Sequence, residues 1–297
     1  EKLATAISVY SLGIYLGSAL AAKAGGYAVG VLAEMDNMIL PLVGEIFAWQ
    51  LILVAIGIPG LIIALIVLLI KEPKRKGQNA DQLIPLSEVW IYLKENGRTF
   101  FLICSGAAFF YLAVYAISSW LPTYLMRIHQ MSAASVGNVI AIGFGIFPAV
   151  GVIGGGRIAD YWTKKGVTGA KIKLILWATL LLIPFSTIYP LMPTGKTALI
   201  AMIPLCLVLS APVAATAAAV QEIMPNRMRG VASSILILAS NLLGLTIGPT
   251  SIALFTDYYF QDEMALGWSL LIVSLISFSI AGIFFYRAFK RTRALQE

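Results

Sequence analysis

Lys23 is the one charged residue in the apolar run 4–33. If this run spans a membrane, its ammonium group can attract an anionic ligand, and intramembrane ionisable residues are functional candidates by default. Tyr15 lies eight residues earlier, about 80° around a helix from Lys23, so both side chains can serve one ligand. The alternative is that the lysine, about 28 Å along the helix from Ala4, reaches the lipid headgroups at little cost. Both interpretations stay open.

A second polar set recurs with helical spacing in another apolar run. Tyr111, Tyr115, Ser118 and Ser119 stand at i, i+4, i+7 and i+8, which places rings and hydroxyl groups on one helix face. That face suits an amphipathic organic ligand. Tyrosines near helix ends are also common interfacial anchors, but Tyr111 and Tyr115 lie deeper, which favours a lining role. Asn241 is a weaker candidate, with hydrogen bonding to a neighbouring backbone group as the alternative.

Charged side chains at the ends of the apolar runs are candidates for gating and ion coupling. Asp160 lies beside Arg157 and within loop reach of Arg227 and Arg229. Its carboxylate can pair with these arginines and cap the helix that follows them, forming a gate latch. The alternative is an ordinary solvated loop charge. Glu222 could carry a coupling proton if partly buried, although pairing with Arg227 or Arg229 at the surface is favoured.

Small residues recur every four positions in two of the runs. Gly13 and Gly17 share one helix face, and so do Gly244 and Gly248, with Pro249 directly after. A phosphate-binding loop would need the pattern G-x-x-x-x-G-K-[ST], which does not occur in the sequence. Because missing side chains let two membrane helices approach closely, we interpret these residues as helix-packing positions.

Enzyme, metal and nucleic-acid functions find no support in the sequence. There is no H-E-x-x-H motif, no Cys/His cluster with metal-ligand spacing and no carboxylate pair inside the apolar runs. The lone histidine, His129, lies in a loop, where we expect it to be solvated. The net charge of +7 resides in short loops, without a stacking aromatic face. We therefore expect no catalytic residue, no metal, no cofactor and no nucleic-acid partner.

The elements that position these residues are membrane helices. The chain is 59% hydrophobic and 12% charged, with a mean hydropathy of +0.88, whereas about a quarter of the residues of a soluble protein are charged. A spanning helix needs about 20 mainly apolar residues, and lipid excludes unpaired backbone groups. Eight runs meet this requirement, which predicts an all-α polytopic membrane protein. They cover 4–33, 46–70, 99–122, 133–159, 172–192, 197–221, 230–256 and 266–288.

The basic residues predict the orientation of these spans. All of the 21 Lys and Arg except Lys23, Arg127 and Lys196 fall on one side of the alternating topology. By the positive-inside rule this side is cytoplasmic, and both chain termini lie inside.

The first two runs repeat the last two. The small-residue ladder that contains Gly13 and Gly17 aligns without gaps on the ladder that contains Gly244 and Gly248. The four runs between these pairs have no partner, which suggests that four equivalent runs precede residue 1 in a protein with two halves of six. The chain opens at Glu1 beside a span, without an initiator Met, which we interpret as a truncated N-terminus.

This duplication predicts the domain organisation. We assign 1–70 to the last two spans of the N-terminal half and 99–297 to a six-span C-terminal half. Between them, 71–98 is predicted to be the central cytoplasmic linker. Its second part reads as a short interfacial helix with Ser87 as its N-cap.

This arrangement resembles the major facilitator superfamily, whose members join two halves of six helices through a basic central loop. The stretch GGGRIADYWTKKG matches the superfamily's loop motif at Gly156, Asp160, Lys164 and Lys165, while Tyr161 stands where an arginine is usual. On this mapping the eight runs are helices five to twelve. Within the superfamily, PNRMRGVASSILILASNLLGLTIGPTSIALFTDYYF is most similar to spinster-like transporters, and SSWLPTYL is similar to organic anion:cation symporters.

The resemblance implies a major facilitator-type helical bundle and a secondary active transporter that works by alternating access, in which helix seven lines the cavity. It implies proton coupling and, for the spinster-like branch, an amphipathic or anionic solute such as a lysolipid. A symporter for small organic carboxylates and a non-transporting membrane sensor or assembly module are the alternatives. The expected partners are a small-molecule or lipid substrate, protons and membrane lipids. The full-length protein is expected to be a monomer in a bacterial inner membrane.

Overall fold

A computed structural model describes residues 3–32, 38–40, 44–69 and 85–294 of the chain. This part consists of α-helices and one antiparallel hairpin of two short strands, β1 (Met38–Leu40) and β2 (Gly44–Ile46). The helices are α1 (Leu3–Leu32), α2 (Ala48–Leu68), α3 (Leu86–Asn96), α4 (Arg98–Arg127), α5 (Ala133–Ala141), α6 (Phe147–Lys164), α7 (Ala170–Ile188), α8 (Gly195–Ile223), α9 (Arg229–Ala253) and α10 (Leu266–Ala294).

Short segments of other helical geometry continue several of these helices. The π-helical segment Ile142–Ile146 joins α5 to α6, and a second, Leu254–Phe260, extends α9. Three 3₁₀ turns, Tyr189–Leu191, Asn226–Met228 and Glu263–Ala265, lie between the later helices. Because α5, the π segment and α6 are continuous, they form one apolar element of spanning length.

Within the described residues each of the eight predicted runs contains a helix, and several helices continue beyond the predicted ends, the longest extensions reaching Arg127, Lys164 and Ala294. Six elements, from α4 onwards, are long and apolar enough to cross a membrane. Within α1 and α2 the searched residues contain shorter apolar helices, Thr5–Ala21 and Gly57–Leu68. The chain is therefore an all-α integral membrane protein.

The short helix predicted in the basic central segment is present as α3, but its start differs from the prediction. The N-cap residue is Pro85, and Ser87 lies inside the first turn. Proline fixes its own φ near the helical value, so a helix starts readily beside it. Residues 71–84 of the predicted linker lie outside the described part of the chain, and the assignment of 71–98 stays a prediction.

Helix α4 lies at the centre of the group formed by α4 to α10. It packs mainly against α9 and α10, while α6 packs against α8, and α7 packs against both α8 and α10. Large side chains of α4 and α10 fill the interior, among them Phe100, Tyr124, Phe278 and Phe285, all less than 2% exposed. Helix α1 packs against α5, α6 and α8. Side chains on α4 are therefore held from several sides.

Glycines create the closest helix contacts. A Cβ atom at Gly248 would lie 2.7 Å from the carbonyl oxygen of Leu112, and one at Gly244 would overlap the ring of Tyr115. These two glycines let α9 lie directly on α4. Small residues four positions apart favour such close contacts between membrane helices. Gly155 has the same role between α6 and α8, where a Cβ atom would overlap the backbone of Ala211.

The described part of the chain shows no helix packed on Gly13 and Gly17, and their packing role stays a prediction. No described atom lies within 4 Å of the position that a Cβ atom would take at either residue. Instead, Ala19 and the carbonyl oxygen of Tyr15 lie against Gly145 of the π segment. Gly17 stands two positions before Ala19, which corresponds to about 200° around an α-helix, so Gly17 faces away from this contact.

Neighbouring glycines of α6 provide a matched test of the close packing. We expect Gly155→Ala to lower the stability of the full-length protein by roughly 1–3 kcal/mol, because the new methyl group must displace the backbone of α8. Gly154→Ala is the control, since no described atom lies within 4 Å of its Cβ position. Thermal unfolding in detergent measures both. Equal midpoints for the two variants would contradict the packing.

Candidate functional site

Polar groups of α4 and α9 meet inside the helical group. The Tyr115 hydroxyl donates a hydrogen bond to Oδ1 of Asn241 at 2.9 Å. The ring centroids of Tyr111 and Tyr115 lie 6.1 Å apart with a tilt of 34°. All three side chains are half-buried. The structure therefore brings three predicted site residues together, and Gly244 is what allows the Tyr115 ring to lie against α9.

Helix α1 adds Tyr15 to this group. The Tyr15 side chain is half-buried, and its phenol lies close enough to that of Tyr111 to interact electrostatically. Three separate helices thus contribute neutral hydroxyl and amide groups beside aromatic rings. Such a surface binds organic molecules through ring contacts and a few directed hydrogen bonds. We call Tyr15, Tyr111, Tyr115 and Asn241 the tyrosine cluster.

The other predicted binding residues, Ser118, Ser119 and Lys23, differ in exposure and in hydrogen bonding. The Ser118 hydroxyl donates to the carbonyl oxygen of Tyr115 at 3.2 Å, whereas Ser119 is exposed. Lys23 is also exposed, and it stands about 12 Å further along α1 than Tyr15. A binding role for Lys23 and Ser119 stays a prediction.

Asp160 lies at the N-terminal end of α1. Its Oδ2 atom accepts a hydrogen bond from the backbone N–H of Thr5 at 2.9 Å and another from the Thr5 hydroxyl at 2.6 Å. The aspartate is only 5% exposed. A carboxylate at this place satisfies an unpaired amide and interacts favourably with the positive end of the helix dipole. Asp160 therefore fastens α6 to α1.

The helix that Asp160 caps differs from the one predicted. The sequence suggested the start of α9, but the N-cap residue of α9 is Met228, without a side-chain capping bond. Arg157 and Arg227 are exposed, and the Nε atom of Arg229 donates to the carbonyl oxygen of Met224 at 3.4 Å. The spatial proximity of α1 and α6 could not be read from their separation in the sequence.

Comparison with known proteins places the chain in a family. The family model of the Major Facilitator Superfamily matches residues 1–249. The chain belongs to this superfamily. A similar protein is an MFS-type efflux pump of Mycolicibacterium smegmatis, which is 22% identical over 256 residues. The match covers 85% of this chain and 59% of that protein, so the chain spans well under two thirds of this relative's length.

Solved structures show the same superfamily fold. Two inward-facing structures of a bacterial homologue of the human lysosomal transporter Spinster, one unoccupied and one occupied, match with TM-scores of 0.64 and 0.67. Sequence identity is 22% and 21%, respectively. Each match covers 97% of this chain, and 71% or 70% of the other chain. The helical arrangement is thus that of a major facilitator bundle.

Glu222 of this major facilitator chain pairs with Lys171, and the predicted pairing with Arg227 or Arg229 is wrong. The Lys171 Nζ atom lies 2.8 Å from Glu222 Oε2. The lysine side chain is 8% exposed and the glutamate side chain is 57% exposed. The pair joins α7 to α8 and compensates a nearly buried ammonium group. Sequence reasoning missed Lys171, because only the fold places it beside Glu222.

His129 lies in the loop after α4, as expected, but it is half-buried and hydrogen-bonded to a tyrosine instead of simply solvated. Its Nε2 atom lies 2.8 Å from the hydroxyl of Tyr124, whose ring lies edge-on at 5.0 Å between centroids. The Tyr124 hydroxyl also lies 3.2 Å from the carbonyl oxygen of Tyr189, to which it can donate, and the tautomer of His129 sets which group donates in the bond between Nε2 and the hydroxyl. Burial lowers the pKa of His129 below its usual value.

Trp120 makes a second contact that the sequence did not specify, between α4 and α9. Its Nε1 atom donates to the carbonyl oxygen of Pro249 at 2.9 Å. This bond reinforces the α4–α9 contact at the residue directly after Gly248. The sequence signal for it is a Trp directly after Ser119, at the end of the face that carries Tyr111 and Tyr115.

The Asp160 cap predicts local protection of α1. We expect Asp160→Asn to speed hydrogen exchange in the first turn of α1 roughly tenfold or more, because a hydrogen bond to a charged acceptor contributes more than a neutral one. Hydrogen-exchange mass spectrometry of the full-length protein measures this. Asp257→Asn, at an exposed site after α9, is the control. An unchanged rate in Asp160→Asn would exclude the cap.

The Lys171–Glu222 pair predicts an asymmetric response. We expect Glu222→Gln to destabilise the full-length protein by about 2 kcal/mol, since it leaves a nearly buried charge unpaired. Glu263→Gln removes a more exposed pair with Arg127, whose two side chains are 31% and 76% exposed, and should cost little. The double change Lys171→Met/Glu222→Gln should recover most of the loss. Thermal unfolding midpoints measure the three stabilities. A loss for Glu263→Gln as large as the loss for Glu222→Gln would contradict the expected difference.

Proposed function

We propose that the full-length protein carrying this chain is a secondary active transporter of the spinster-like kind. It moves an amphipathic, anionic organic solute, such as a lysolipid, by alternating access. The membership in the major facilitator superfamily and the fold of the Spinster homologue support this assignment. The relative named as an efflux pump supports membrane transport.

The observation that carries the proposal is the composition of the tyrosine cluster. It unites α1, assigned to one half of the transporter, with α4 and α9 of the other half. A ligand held between two halves is released when the halves move apart, which is the basis of alternating access. The position of the cluster between elements assigned to different halves supports a role in binding the transported solute.

The distance to Lys23 favours an amphipathic solute over a small carboxylate. The exposed lysine stands about 12 Å along α1 from Tyr15. A molecule with an anionic head and an apolar body can contact the lysine with one end and the aromatic rings with the other. A short carboxylate can reach only one of them, which is why the carboxylate symporter is the second candidate.

Proton coupling, a bacterial inner membrane, cytoplasmic termini and a monomeric state complete the proposal. The sequence lacks an ATP-binding loop, and a secondary transporter draws its energy from an ion gradient. The orientation follows from the basic residues, which lie on one side of the predicted topology. The non-transporting sensor module is the alternative that a transport assay eliminates.

Uptake into proteoliposomes tests the function. With an imposed pH gradient, the full-length protein should accumulate lysophosphatidylglycerol in preference to succinate, and dissipating the gradient should abolish accumulation. Preference for succinate would favour the carboxylate symporter. Uptake that is independent of the pH gradient would overturn proton coupling. If correctly folded protein takes up neither compound, the proposed transport is overturned.

Variants of the site sharpen the assay. We expect Lys23→Gln to raise the KM for lysophosphatidylglycerol roughly fivefold, the contribution of about 1 kcal/mol from one ion pair, without a comparable effect on zwitterionic lysophosphatidylcholine. Lys196→Gln, an exposed lysine at the start of α8, is the charge-matched control. Equal effects on both lipids, or an unchanged KM, would exclude Lys23 from the site and leave it as a headgroup anchor.

A further inference from the structure

Helix α3 lies across the basic end of the bundle with two different faces. Val89 and Leu93 are buried against the other helices, at 2% and 1% exposed. Leu86, Trp90 and Ile91 are more than half exposed, although they are large and apolar. A short helix at the end of membrane spans that exposes such residues is typical of an interfacial helix, whose apolar side lies at the headgroup boundary.

An open cavity of about 400 Å³ lies between α3, the start of α4 and α10. The lining has two parts. Two basic side chains, Lys94 and Arg98, stand at the basic end, while apolar residues and one hydroxyl follow along the spans: Phe101, Leu102, Ser105 and Phe284. No described lining residue is acidic. Since α4 rises about 1.5 Å per residue, Ser105 lies about 10 Å deeper than Arg98. The cavity is therefore cationic near the headgroups and apolar below.

An aromatic neighbour orients one of the two basic side chains. The Lys94 Nζ atom lies 5.8 Å from the centroid of the Trp90 ring. Trp90 in turn contacts Phe101 edge-on, with centroids 6.5 Å apart and an angle of 84° between the planes. A cation over an indole ring is stabilised and loses some freedom. Arg98, four residues after Lys94, presents a planar fork that suits phosphate oxygens.

We propose that this cavity binds the phosphate of an anionic diacyl phospholipid from the leaflet at the basic end of the spans. Lys94 and Arg98 bind the phosphate, and Phe101, Leu102 and Phe284 contact the first part of an acyl chain. Charge complementarity and the apolar lower wall both fit a lipid. A soluble phosphate ion would make no contact with the apolar wall. Juxtamembrane basic residues attract anionic lipids in this way.

The site is separate from the tyrosine cluster and does not depend on transport. It joins α3 to α4 and α10, so a bound lipid would hold the interfacial helix against the six-helix half. Its ligand stays in the bilayer, whereas the proposed solute passes between the halves. The two proposals can therefore fail independently.

Lipid titration of the purified full-length protein tests the site. Native mass spectrometry measures the binding of dioctanoyl phosphatidylglycerol and, in parallel, of dioctanoyl phosphatidylcholine. We expect Lys94→Gln/Arg98→Gln to weaken phosphatidylglycerol binding about 25-fold, roughly fivefold for each basic residue near an anionic headgroup. Lys173→Gln/Lys290→Gln removes the same charge from the same end of the bundle and should bind normally. The swap Lys94→Arg/Arg98→Lys keeps both charges and should retain the lipid.

Each other outcome contradicts the site. The lipid interaction would be non-specific attraction between charges in either of two cases. One is normal binding by the Lys94→Gln/Arg98→Gln variant, and the other is an equal loss of binding in the Lys173→Gln/Lys290→Gln control. Equal binding of phosphatidylcholine would leave only an apolar groove. Displacement of the lipid by millimolar inorganic phosphate would identify a soluble anion as the ligand. A thermal unfolding scan of each variant shows that the protein under titration is folded.

Discussion

Lipid offers no hydrogen-bond partner, so every backbone polar group inside the spans must be paired within the protein. This constraint makes the chain helical, and it also governs the side chains. The hydroxyls of Thr179, Thr216 and Thr256 bond to carbonyl oxygens four residues earlier. Tyr115 and Trp120 find their partners on another helix, whereas the buried hydroxyls of Ser240 and Ser274 have no hydrogen-bond partner among the described residues.

The contact of α4 with α9 follows from this requirement. Tyr115 reaches Asn241 and Trp120 reaches the carbonyl oxygen of Pro249, so two polar bonds connect the helices. Both require close backbones, which Gly244 and Gly248 provide. Packing and hydrogen bonding therefore depend on each other here. The same arrangement leaves rings and a hydroxyl beside α1, where a ligand can replace part of the internal pairing.

Charge has a different role at the ends of the spans. Asp160 and Lys171 are nearly buried, and each is compensated by a partner from another helix. Asp160 stabilises the N-terminal end of α1 on α6, a contact between elements assigned to different halves. The alternating access that we propose would require such contacts to break, and a capping bond at a helix end is a form of contact that can break and reform. A bond of this kind holds one amide and one hydroxyl without joining the two hydrophobic surfaces permanently.

The sequence by itself determined the membrane class, the eight helices and the superfamily. Hydrophobic length, basic loops and the motif around Asp160 are local properties that any fold must respect. It also placed Tyr111 and Tyr115 on one face, because that depends only on helical periodicity. Only the tertiary structure decided which helix meets which: that Asp160 caps α1, that Glu222 pairs with Lys171, and that Gly13 and Gly17 face away from α6. In a chain that is apolar on all sides, many helix pairings bury similar surface, and the few polar contacts that select one pairing join residues far apart in sequence.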